Sequence, residues 1–450
     1  MRGIALALII FGTIPFILTN PYMGLLVWSW IGYMNPHRLT YGFAYSFPWV
    51  MLIAIVTLVS LAISKESKKI PWSTVSVLLA LFLLWTGFTT YFAVMQDSAW
   101  DKWQQLAKTF LMVFVTLMLV KTRKRMDWLV WVIVVSIGFY GLKGGVFTLL
   151  GRGGSHVFGP PDSFIADNNG LALALCMALP LMRYLQLQAP KKSVRLGMGL
   201  GMFVSGVAIL GTYSRAGFIA LAVVSAALLL KSRRRLTLAI ALVAMGMMAY
   251  QFMPAQWMDR METLHHAGET QSLQTRIQSW EFATNVALHR PLLGGGFDVY
   301  LSGPMWQRYG PENAIPRAVH SIYFRVLGEQ GFIGLLLFLG LLAASWRKCS
   351  QIRKRTRDVP ELKWAFDLAS MMQVALLGYM TAGAAAPTSY FDLTYQLMVM
   401  CALLYGMVAE KVLDPAVTHT TARSPSIRSI PTRARDALVG SHGKQSGQES

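Results

Sequence analysis

The stretch KKSVRLGMGLGMFVSGVAILGTYSRAGFIALAVVSAALLLKSRRR, residues 191–235, decides the fold. Two apolar runs, 196–213 and 216–230, lie between two basic clusters and meet at a short polar turn that carries one arginine. Apolar segments of roughly this length cross a hydrocarbon layer as helices. A chain that goes in, turns and returns brings its flanking lysines and arginines back to one side. That is the charge asymmetry of cytoplasmic links in polytopic membrane proteins.

The same alternation extends in both directions. Further apolar runs fall near 48–64, 72–94, 104–120, 127–149, 168–187, 236–253, 320–345, 366–386 and 391–412. Basic links stand between them at KESKK (65–69), KTRKR (121–125) and RKCSQIRKRTR (347–357). With the basic links cytoplasmic, segments 35–47, 95–103, 150–167, 213–216, 254–319 and 387–390 face the other side. Residues 3–34 are long for one straight span and are interrupted by Pro15 and Pro21. Met1-Arg2 favours a cytoplasmic start, so this stretch is expected to cross once, with a kinked or re-entrant portion, as an anchor rather than a removed signal peptide. The expectation is an all-α polytopic membrane protein with about twelve transmembrane helices. Residues 1–253 and 320–413 form the membrane part, 254–319 a helical insert outside the cytoplasm, and 414–450 a disordered basic cytoplasmic tail.

Composition agrees. Of 450 residues, 54% are hydrophobic and only 14% charged, against roughly a quarter charged in soluble domains. The net charge of +20 would suit a nucleic-acid partner, but its position in short links between apolar runs argues for membrane topology instead. The three cysteines, Cys176, Cys349 and Cys401, lie in or beside apolar runs, with spacing suited to neither a disulfide framework nor a zinc site.

The insert contains LQTRIQSWEFATNVALHRP, in which Ile277, Trp280, Ala283, Val286 and Ala287 recur at helical spacing. Pro291 and Gly294-Gly295-Gly296 are expected to stop that helix.

Several polar groups fall on the non-cytoplasmic side: Arg152, Asp162, Asp167, Arg215, Arg276, Arg290, Arg317 and His320. Arg215 sits at a helix mouth, where it serves either as a snorkelling anchor or as a bidentate phosphate clamp. Arg276 opens the amphipathic helix, as a solvated charge or a ligand. Arg290 and Arg317 each adjoin a loop proline. His320 is at the membrane boundary, an interface residue or a general base with an unperturbed pKa of about 6.5. Arg325 and Glu329 are four apart and share a helix face, while Glu329 is about 180° around a regular helix from His320. This predicts a structural Arg325–Glu329 pair separate from the histidine. Asp162, Asp167 and Asn168 cap a helix or position a ligand, capping being preferred. Asp-x-Asp, P-loop, HExxH and GxSxG motifs are absent, and nothing in the sequence argues for a metal, a cofactor or nucleotide energy.

Three blocks, TYSRAGF (212–218), TRIQSWEFATNVALHRPLLGGGF (275–297) and HSIYFRVLGEQGFIG (320–334), together resemble the O-antigen ligase family. The family includes lipopolysaccharide O-antigen ligases, related polymerases and protein O-glycosylation ligases. GPPDSFIADNNGLALAL (159–175) looks like the family's Asp-Asn block. The N-terminal NPYMGLLVWSWIGYMNPHRLTYGFAYSFPW looks like the exosortase-associated subgroup of O-glycosylation ligases.

The resemblance implies a GT-C type glycosyltransferase in a bacterial inner membrane, with its active site facing the periplasm. It implies an undecaprenyl diphosphate-linked glycan as donor and lipid A–core oligosaccharide as acceptor. It places the family's functional residues on Arg215, Arg276 and His320. Arg152, Asp167, Asn168, Arg290 and Arg317 are weaker candidates for binding diphosphate or sugar. Other surface-polysaccharide assembly proteins are conceivable partners; nucleic acid is not. A protein acceptor or a growing glycan remains open, and so does a lipid-linked glycan flippase. A transporter, however, would put its unusual polar groups at mid-membrane.

Overall fold

The computed structural model describes residues 2–151, 155–231, 240, 247, 271–312 and 314–412. The expected span at 236–253, the start of the insert, Arg152 and the tail lie outside the described residues, apart from positions 240 and 247. Among the described residues the regular elements are all helices. In chain order these are α1 Arg2–Thr19, α2 Pro21–Met34, α3 Phe43–Ser46, α4 Trp49–Ile63, α5 Thr74–Tyr91, α6 Gln96–Leu119, α7 Arg123–Leu150, α8 Asn168–Gln188, α9 Lys192–Gly211 and α10 Arg215–Lys231. After the undescribed stretch come α11 Gln271–His289, α12 Gly303–Tyr309, α13 Ile322–Thr356, α14 Lys363–Gly383 and α15 Asp392–Val412. Among the described residues, 7 helices are long and apolar enough to cross a membrane. The chain is an all-α polytopic membrane protein.

α8 is the centre. Residues Gly170–Met182 are buried without a break, and a helix apolar all round is one enclosed by others. α7, α9, α10 and α14 pack around it. Small residues let α7 and α9 approach closely. A Cβ on Gly145 would stand 2.1 Å from the Val204 carbonyl oxygen, and one on Gly141 2.2 Å from Ser205 Oγ. Such contacts replace the hydrophobic drive that lipid removes.

Residues 3–34 differ from expectation. They form two helices, not one kinked passage. Asn20 is extended, its side chain accepts from the Tyr22 amide, and Pro21 starts α2, so the ladder ends at Thr19. Phe11 packs on Trp49 at 5.7 Å, and Ser60 Oγ donates to the Ile17 carbonyl at 2.6 Å. α1 therefore runs in the same direction as α4. α2 runs back, with Tyr22 beside Arg125 and the Tyr140 phenol hydroxyl donating to the Met34 carbonyl. Arg2 thus lies at the end of the bundle that holds 41–49, away from the basic links at 65–69 and 121–125. One arginine's side preference is worth less than the packing of a whole helix.

Two other boundaries move. The link expected at 95–103 is mostly the first part of α6, and the basic segment after 345 continues α13 as helix to Thr356. α13 is also not one regular helix, because Gly331 breaks it at φ 68°, ψ −172°.

Candidate functional site

Arg215 is placed by two cross-braced turns. α9 ends at Gly211, and Tyr213 then adopts a left-handed φ of 57°. Buried Ser214 accepts from the Gly217 amide at 3.0 Å, capping α10, and donates to Asn169 Oδ1 at 2.7 Å. Asn168 Nδ2 donates to the Thr212 carbonyl at 3.0 Å. Asp167 Oδ1 caps α8, accepting from Asn169 at 2.8 Å and Gly170 at 3.0 Å. A Cβ on Gly217 would come within 2.5 Å of Ala172 Cβ, so glycine is what lets α10 close on α8. The result presents Arg215, half-buried, as the first residue of α10, where free amides and the helix dipole already favour an anion.

Arg276 comes from α11. This helix buries Ser279, Phe282, Ala283, Val286 and Ala287, one turn-spaced stripe. Ile277, expected on that stripe, is 49% exposed, and Trp280 is half-buried. Phe282 stacks on Trp306 at 4.2 Å, and Tyr300, Tyr309 and Val319 complete the cluster. Trp280 stacks on Phe324 at 5.2 Å and donates to the His320 carbonyl at 3.3 Å. The insert helix thereby holds the histidine's backbone.

His320 is not on a helix. α13 starts at Ile322, and Ser321 is its cap, accepting from the Tyr323 amide at 3.3 Å. The imidazole Nδ1 is buried with no hydrogen-bond partner among the described residues. Burial lowers the His320 pKa, the Arg276 charge adds to that, and Asp167 opposes it. Burial also lowers the Arg276 pKa, and the Arg215 charge contributes in the same direction. Charge effects thus link Arg215 to Arg276, and Arg276, Asp167 and Arg325 to His320, joining separate parts of the chain. Neither the Arg215 nor the Arg276 guanidinium has a hydrogen-bond or ion-pair partner among the described residues. Two guanidinium groups whose charges repel are stabilised by an anion between them, and guanidinium groups can bind a phosphate bidentately.

The weaker candidates separate. Arg290 donates to the Phe92 carbonyl at 2.9 Å, tying α11 to the end of α5. Arg317 Nε donates to the nearby Ile315 carbonyl at 3.1 Å, and the residue is half-buried. Asp162 accepts from Tyr45 at 2.7 Å and lies 3.4 Å from Arg38, which ties it to the N-terminal block. Arg152 lies outside the described residues.

The Arg325–Glu329 contact measures 3.1 Å and belongs to a larger network. Arg325 also lies 3.6 Å from Asp298, donates to the Pro387 carbonyl at 2.8 Å and to Tyr300 at 3.2 Å. Tyr390 donates to Glu329 Oε2 at 2.7 Å. The three charged side chains are 12%, 3% and 1% exposed. Such burial is tolerated when every lone pair and N–H is engaged. Asp298, Tyr300 and Tyr390 escaped the sequence reading because their partners lie 25 to 61 residues away.

The glycine run is more than a helix stop. The Gly295 and Gly296 amides donate to the carbonyls of Gly328 and Glu329 at 2.8 and 2.9 Å, and the Phe332 amide donates to the Pro291 carbonyl at 2.8 Å. The Gly331 break exposes those groups, and the insert loop satisfies them.

Residues 1–189 match a family of unknown function. No curated protein matches the chain. Residues 200–339 match the model described as O-antigen ligase. That segment holds the turn before α10, the described part of the insert and the broken start of α13, and over those residues the chain is similar to the O-antigen ligase family.

Proposed function

We propose that the chain transfers a glycan from undecaprenyl diphosphate to a sugar hydroxyl of lipid A–core oligosaccharide, at the periplasmic face of a bacterial inner membrane. The observation that carries this reading is the Arg215–Arg276 couple, whose guanidinium groups have no partner among the described residues, beside a His320 imidazole nitrogen that also has none among them. The family match supports the substrate class. A GT-C type architecture of about twelve crossings is part of the same reading.

Arg215 and Arg276 hold the diphosphate and stabilise the charge it gains on leaving. The acceptor oxygen attacks the anomeric carbon on the face opposite the phosphate. The carbon–oxygen bond to the diphosphate breaks, and its electron pair leaves with the lipid. The hydroxyl proton passes to the neutral His320 imidazole. One displacement inverts the anomeric centre. The donor is already activated, so this scheme uses neither metal nor nucleotide. Asp167 and Asn168 hold the floor of the site by capping α8 and bracing the Arg215 turn.

The test is ligation in reconstituted membranes with lipid-linked glycan and core acceptor. Arg215→Ala, Arg276→Ala and His320→Ala each abolish transfer on this reading. Near wild-type activity in the His320 and Arg215 variants would overturn it, and loss of activity on chelation would remove its metal-independent part. A deletion strain separates acceptors: loss of long lipopolysaccharide with lipid-linked polymer intact fits the ligase, whereas loss of glycoprotein fits a protein acceptor.

A further inference from the structure

At the opposite end of the bundle, where the basic links gather, α2 and α7 leave an open groove of about 660 Å³. This lies within the roughly 300–1,000 Å³ of small-molecule sites. Its walls are two helix stripes. Met23, Leu26, Val27 and Trp30 line it from α2, and Lys124, Trp128 and Val132 from α7. Residues spaced by three and four share a face, so each helix offers one continuous apolar strip with a polar group only at its mouth.

The three basic residues at that mouth are not equivalent. Arg123 lies 3.4 Å from Asp127 and donates to Gln188 at 3.1 Å. Arg125 is paired with Glu66, donates to the Leu119 carbonyl at 2.7 Å and covers the Tyr22 ring. Both arginines are used to hold helices together. Lys124, between them, is exposed and has no hydrogen-bond or ion-pair partner among the described residues. It also borders a second cleft, of about 380 Å³, together with Arg123, Asp127, Trp128 and Trp131. Trp128 is 53% exposed and divides the apolar groove from this polar cleft. A cation at the junction of an apolar trough and a polar, tryptophan-walled cleft matches an amphiphile with an anionic head and an acyl chain. Tryptophan at such a boundary sits at headgroup depth.

We propose that this groove is a binding site for one anionic glycerophospholipid of the leaflet on the basic-link side. Its phosphate lies on Lys124, its headgroup lies in the cleft beside Trp131, and one acyl chain lies along Leu26, Val27, Trp30 and Val132. The site is remote from Arg215, Arg276 and His320, so it stands or falls independently of the proposed transfer reaction.

The test is native mass spectrometry of the full-length protein released from detergent with phosphatidylglycerol or phosphatidylcholine of matched chains. The expected result is retention of phosphatidylglycerol over phosphatidylcholine. Lys124→Gln should weaken phosphatidylglycerol retention about fivefold, the scale of one basic residue near an anionic surface, with phosphatidylcholine unchanged. Val27→Trp, which fills the trough, should reduce both. Excess glycerol phosphate should not displace the lipid, since a headgroup alone lacks the chain contacts. Equal retention of the two lipids, or no change in Lys124→Gln, overturns the proposal. Complete displacement by glycerol phosphate overturns the acyl groove. Lys124→Gln alters an exposed, unpartnered side chain, so it decides the matter even if Val27→Trp misfolds.

Discussion

The Gly296 amide donates to the Glu329 carbonyl at 2.9 Å, so the insert loop is hydrogen-bonded into a gap in α13. The same two turns carry Asp298 and Glu329 to Arg325 and hold α11 against the start of α13. The helix that bears Arg276 and the segment that bears His320 are therefore joined by backbone bonds.

Gly331→Ala should be strongly destabilising. Its φ of 68° with ψ near 180° is a region used almost only by glycine, costing about 1–3 kcal/mol for other residues. A Cβ there would also stand 2.2 Å from the Leu292 carbonyl oxygen. Thermal unfolding in detergent should show a clear drop in Tm, together with loss of transfer. An unchanged Tm would mean that the break tolerates a side chain.

Breaking the buried network should be costly as well. Glu329→Ala leaves Arg325 partly uncompensated, and removing one member of a buried pair typically costs about 3–5 kcal/mol. Glu329→Gln keeps the shape and an acceptor for Tyr390, and should cost less. Comparing folded yield and Tm for the two variants checks the order.

Arg276→Lys should recover little of the activity lost in Arg276→Ala, because an ammonium cannot grip a diphosphate bidentately. Full rescue by lysine, measured as kcat/KM for the lipid-linked donor, would reduce Arg276 to a point charge.

The pH profile follows from His320. Burial and Arg276 lower its pKa below about 6.5, so the neutral base persists at neutral pH. The acid limb of kcat/KM should lie below about 6.5. The sign for stability is the same. A depressed histidine contributes stability fully above the unfolded pKa, and that stability is lost as pH falls through the lower folded value. Arg276→Gln should raise the His320 pKa by removing a repelling charge, read by NMR titration of the imidazole rather than by activity. A pKa that stays in place would separate Arg276 from His320.

The hairpin of α1 and α2 makes a topological prediction. Cysteines at Arg2 and at Tyr41, which is 85% exposed, should react with an impermeant thiol reagent from one side of the membrane. A cysteine at Lys68 should react from the other. Arg2 and Lys68 labelling together would restore the single passage.

Hydropathy and charge, read along the chain, determined that this is an all-helical membrane protein, which links are basic, and where α7 to α10 begin and end to within a few residues. These are local properties: a helix crossing lipid satisfies its own backbone and needs only about 20 apolar neighbours in sequence. The Arg325–Glu329 contact was legible for the same reason, being one turn apart. Tertiary structure alone decided the rest. Whether residues 3–34 pass once or twice depends on Ser60 and Trp49, which lie in another helix. The role of the glycine run depends on a break 35 residues later, and Asp298 reaches Arg325 only because that break receives the loop. Arg215, Arg276 and His320 could be singled out by residue type and position. Their proximity comes from the packing of α8, α10, α11 and α13, which no local sequence spacing encodes.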